Sequence, residues 1–105
     1  MLIEDEEFDA RRVENTLRLA KNNLNIMSSF SNGKKALREF ESNPENYDVI
    51  IMDYQIAGGI MGEKLIQEFK KIDPVVQIIV ITKMTIQQTN FDFADGLLKA
   101  GAYWF

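Results

Sequence analysis

Apolar positions along the chain change period several times, and each change predicts an element boundary. Met1-Leu2-Ile3 is a short apolar run that gives way to Glu4, Asp5, Glu6 and Glu7. Ala10, Val13, Leu17, Ala20 and Leu24 then recur at the spacing of an amphipathic helix, opened by acids that suit its positive end, with Asn22-Asn23 where it would stop. Ile26 to Phe30 predicts a second strand, and Ser31-Asn32-Gly33 a turn and cap before a helix with Ala36, Leu37 and Phe40 on its face. Asn43-Pro44 ends that helix. Val49-Ile50-Ile51-Met52 is an unbroken apolar run, the mark of a strand covered on both faces, and it ends at Asp53. A loop bearing Gly58, Gly59 and Gly62 leads to a helix with Leu65, Ile66, Phe69 and Ile72 on one face, stopped by Asp73-Pro74. Val75-Val76 and Ile78 to Ile81 predict a fourth buried strand ending at Thr82. Residues 86–100 carry Phe93, Ala94, Leu97 and Leu98 as a helical face, Gly101 is a C-cap, and Ala102 to Phe105 begin a fifth strand.

The string is therefore strand and helix in strict alternation, which with short right-handed crossovers predicts an α/β fold: an open, doubly wound parallel sheet with helices on both faces. With 105 residues and no linker or low-complexity stretch, the chain reads as one domain, 1–105. Cysteine and histidine are both absent, which excludes a disulfide framework, a thiolate zinc site and a cysteine nucleophile, and removes the commonest general base. Chemistry is left to carboxylates, hydroxyls, lysines or a hard cation. The net charge of −4 has the wrong sign for gripping a nucleic-acid backbone directly, and no apolar run approaches a membrane span. A cytoplasmic location is the expectation.

In open α/β sheets ligands bind beyond the carboxyl ends of the strands. Glu4 and Asp5 follow strand 1, Asp53 ends strand 3 and Thr82 ends strand 4, so all four converge on one rim. Singly, each has an ordinary explanation: an acidic helix start, a strand-end turn residue, a strand threonine. Gathered on one rim, carboxylates repel unless a cation sits among them, and oxygen ligands without histidine or cysteine favour Mg²⁺. A carboxylate facing such an ion can serve as a nucleophile toward phosphorus, with the Thr82 hydroxyl donating to a phosphoryl oxygen. The glycines match neither a dinucleotide nor a P-loop fingerprint and read as loop geometry.

Leu2-Ile3-Glu4-Asp5-Glu6, Ser31-Asn32-Gly33-Lys34-Lys35-Ala36-Leu37, Tyr47 to Asp53, Thr82 and Ala100-Gly101-Ala102 together resemble the receiver domain of two-component response regulators, over essentially the whole chain. The resemblance implies a flavodoxin-like five-stranded parallel sheet in the order 2-1-3-4-5. It further implies that Asp53 accepts a phosphoryl group from a sensor histidine kinase or phosphotransfer protein, acting as a phosphorelay switch rather than an enzyme. Asp5 would ligate Mg²⁺ directly, Glu4 mainly through water, and Gln55 through its backbone carbonyl. Thr82 would be the switch hydroxyl and Phe105 the switch aromatic, with a homodimer or a downstream effector domain as output. Departures accompany the likeness: the family's strand-5 lysine would fall beyond Phe105, as would the final helix, so the last strand and helix look truncated. Ala57 stands where proline is common. The alternative is a pseudo-receiver, an interaction module that works without phosphorylation.

Overall fold

A computed structural model of the chain describes residues 1–4, 7–19, 26, 28–53, 62–81 and 98–104. Its elements run β1 (Leu2–Ile3), α1 (Glu7–Leu19), β2 (Ser29–Phe30), α2 (Gly33–Ser42), a 3-10 turn (Pro44–Asn46), β3 (Val49–Asp53), α3 (Gly62–Ile72), β4 (Gln77–Ile81) and β5 (Tyr103–Trp104). The strands form one parallel sheet in the order β2-β1-β3-β4-β5. This is the predicted flavodoxin-like order, with the chain turning outward in both directions from β1 and β3.

Register runs straight across the sheet. Leu2 pairs with Ile51, and Ile51 with Ile79; Ile3 pairs with Met52, and Met52 with Val80. Because strand side chains alternate, Ile3, Ile50, Met52, Ile78 and Val80 form one continuous apolar surface, and all five are fully buried. Ala36 and Phe40 of α2 and Leu65, Ile66 and Phe69 of α3 complete that core. Phe69 meets Phe40 edge-on, with ring centroids 5.2 Å apart and planes at 85°, the favoured geometry for an aromatic pair. Gly33 opens α2 where the helix lies against α3, and a Cβ there would stand 3.0 Å from Leu65 Cδ2.

Local chemistry sets the boundaries. Asn32 is extended (φ −142°, ψ 132°), and its side-chain oxygen accepts from the amides of Lys34 and Lys35, satisfying two donors at the start of α2. At the other end, Asn43 and Tyr47 both donate to the Glu39 carboxylate, and the Tyr47 hydroxyl lies 2.6 Å from Ser28 Oγ. After α3, Asp73 Oδ1 accepts from Val75 N and closes a turn. Lys70 runs under Gly101 and donates to the Val76 carbonyl at 2.6 Å, joining two turns at the amino end of the sheet.

Three expectations change in detail. Val75 belongs to the turn before β4 and is 77% exposed, because Asp73 has already bent the chain there. Leu98 is 58% exposed rather than part of a buried helical face, while Ala100 packs on the core. The second strand pairs over Ser29–Phe30 and not from Ile26. In β3, Ile50 and Met52 are buried while Val49 and Ile51 are half-buried, so the two faces of this strand are covered unequally. The predicted end of the first helix at Asn22-Asn23 and the helical residues before Leu98 lie outside the described residues. Among the described residues no helix is long and apolar enough to cross a membrane.

Candidate functional site

The carboxyl ends of all five parallel strands lie on one rim. Asp53 is the last residue of β3, and Glu4 immediately follows β1. The Glu4 amide donates to the Phe30 carbonyl at 2.9 Å, as the Leu2 amide does to Ser28 at 3.0 Å, so the β1–β2 ladder continues through Glu4. The β1–β3 register of Leu2 with Ile51 and Ile3 with Met52 puts Glu4 beside Asp53 one step further on, at the lateral spacing of neighbouring strands, about 4.8 Å. Alternation aims both side chains at the face opposite the α2–α3 core.

Both carboxyl groups are buried, Glu4 at 9% exposure and Asp53 at 4%. Neither lacks an interacting group. Two buried acids on adjacent strands form a site of concentrated negative potential, which a hard cation neutralises better than a soft one. Among the described residues no third acid, histidine or cysteine joins them; the predicted partners Asp5, Gln55 and Thr82, and the aromatic Phe105, lie outside the described residues. What spacing alone did not reveal was the lateral pairing. It depends on register between strands distant in sequence, and only the placement of Ile3 against Met52 supplies it.

A family model described as the response regulator receiver domain matches residues 1–105. The chain belongs to that family. The fold of this receiver domain is also that of solved structures. One is CheY of Borrelia burgdorferi in its CheX–CheY–BeF3–Mg²⁺ complex (TM-score 0.81, 16% identity, covering 99% of this chain and 73% of that one). A second is a response regulator receiver domain protein from Clostridium thermocellum (TM-score 0.78, 26% identity, 98% and 75%). A third is a response regulator protein from Burkholderia pseudomallei with a phosphorylated aspartic acid, calcium ion and citrate (TM-score 0.73, 21% identity, 98% and 56%). Comparison with curated proteins found no match.

Proposed function

We propose that this receiver domain is a phospho-acceptor switch, with Asp53 as the acceptor. The observation that carries the reading is the buried Asp53 carboxylate at the end of the central strand β3, beside the buried Glu4. A carboxylate oxygen of Asp53 attacks the phosphorus of a phosphohistidine on a kinase or phosphotransfer protein. The P–N bond breaks, its electron pair returns to the imidazole, and an acyl phosphate remains on the receiver. Water later attacks that phosphorus, releasing inorganic phosphate and the free carboxylate. The domain is thus a stoichiometric acceptor rather than an enzyme acting on a separate substrate.

Glu4 and Asp53, with Asp5 and the Gln55 carbonyl, are the oxygen donors that would hold Mg²⁺, and their all-oxygen chemistry fits that ion. Bound there, the cation offsets the charge of the incoming phosphoryl group. Support comes from the family and from the B. burgdorferi and B. pseudomallei structures, which contain Mg²⁺ with BeF3 and a phosphorylated aspartic acid respectively. Phosphorylation adds about −1.5 to −2 charge, and Thr82 and Phe105 are the positions through which it would shift the population toward a signalling conformation. The output is a homodimer or an effector domain, in the cytoplasm.

Asp53→Asn abolishes Mg²⁺-dependent labelling by acetyl phosphate, measured as the phosphoryl increment in intact mass. Labelling of the variant at unchanged stoichiometry would overturn the assignment. If the wild-type domain takes no label and the fluorescence of its single tryptophan, Trp104, ignores millimolar Mg²⁺, the pseudo-receiver reading is preferred.

A further inference from the structure

The charged residues of α2 run against its dipole. Its first turn contains no acid and its last turn no base; instead Lys34 and Lys35 stand in the first turn and Arg38 one turn on, all three exposed. Cations near a helix N-terminus are unfavourable. The neighbouring α3 does the reverse, with Glu63 in its first turn and Lys70 and Lys71 in its last. The carboxylate spaced to relieve Lys35, Glu39 at i+4, is taken: one oxygen accepts from Asn43 Nδ2 at 2.6 Å and the other from Tyr47 Oη at 3.3 Å. Among the described residues the ion pairs formed by lysines of α3 are Lys64–Glu68 and Lys71–Glu68, and no carboxylate pairs with Lys34, Lys35 or Arg38.

A chain of net charge −4 thus holds three cations without an ion-pair partner on one exposed helix face, two of them in the first turn, where they cost the helix most. Departures from local preference are expected where function requires them. Since α2 begins just after β2, its first turn lies at the carboxyl-end rim of the sheet, on the face away from Glu4 and Asp53. We propose that the Lys34, Lys35 and Arg38 face of α2 is a docking surface for an acidic segment of a partner protein. Charge complementarity identifies the occupant. A nucleic acid is the poorer fit, because affinity for its backbone grows with the number of phosphates neutralised and this face offers three cations.

The test is a titration of the isotopically labelled 105-residue chain with a decaglutamate peptide, followed by amide chemical shifts. Shift changes centred on residues 33–38 and lost at high salt are expected. In K34E/K35E/R38E the apparent affinity should fall at least about tenfold, while Tm rises through the corrected dipole and acetyl phosphate labels Asp53 at the wild-type rate. That last readout separates this surface from the acceptor assignment. Should the reversal variant fold poorly, K34Q/K35Q/R38Q gives the same loss of peptide binding. Perturbation elsewhere, none at millimolar peptide, or unchanged affinity in the variants overturns the proposal; tighter binding of a DNA duplex to the same residues reassigns the surface to nucleic acid.

Discussion

At Gly101 the backbone has φ +105°, beyond the range that side-chain-bearing residues tolerate, and a Cβ would stand 3.1 Å from Lys70 Cε. Gly101→Ala should therefore cost about 1–3 kcal/mol, seen as a lower denaturation midpoint with unchanged slope. Lys70 makes the effect more than local, since the same side chain holds the Val76 carbonyl at the entry to β4. Glycine at this position was legible in the sequence as a C-cap. The lysine beneath it was not, because its partner lies across a gap in sequence that periodicity does not bridge.

Among elements, α2 shows most clearly how a sequence announces structure. Asn32 before a helical apolar face predicts a cap, and the Asn32 side chain accepts from Lys34 N at 2.8 Å and Lys35 N at 3.3 Å. Asn32→Ala should destabilise the domain by about 1 kcal/mol, and urea unfolding measures it. Loss of the cap leaves two amides bare beside two lysines already opposed by the dipole, so Asn32→Asp should be at least as stable as wild type. Helix faces and the terminators Asn43-Pro44 and Asp73-Pro74 were likewise readable, because each rests on near neighbours, whereas the strand order came from the family resemblance. The lengths of β2 and β4 were not, because Val75 and Ile26 are apolar yet turn chemistry and pairing, not hydrophobicity, decide where a ladder begins. Of the candidate site, the identities of Glu4 and Asp53 came from the sequence, and their adjacency came from the sheet.

For the molecule as a whole, burial of the Met1 amino group, which donates to the Val49 carbonyl at 2.9 Å, lowers its pKa from the usual 8.0. The unfolded chain then binds a proton that the folded chain has released, at every pH between the lowered value and 8.0. Stability accordingly rises with pH across that window, is fully gained above it, and is lost as pH falls through the folded-state value. Thermal melts across the window should show this slope, and acetylating the amine should remove it. The pairing of Ile3 with Met52 reaches furthest. Side chains alternate along a strand, so a slip of β1 by one residue would drive the Glu4 carboxylate into the aromatic layer of Phe40 and Phe69 and turn Ile3 out onto the rim. One register thereby serves two ends: a chain that has buried its core has also aligned Glu4 with Asp53.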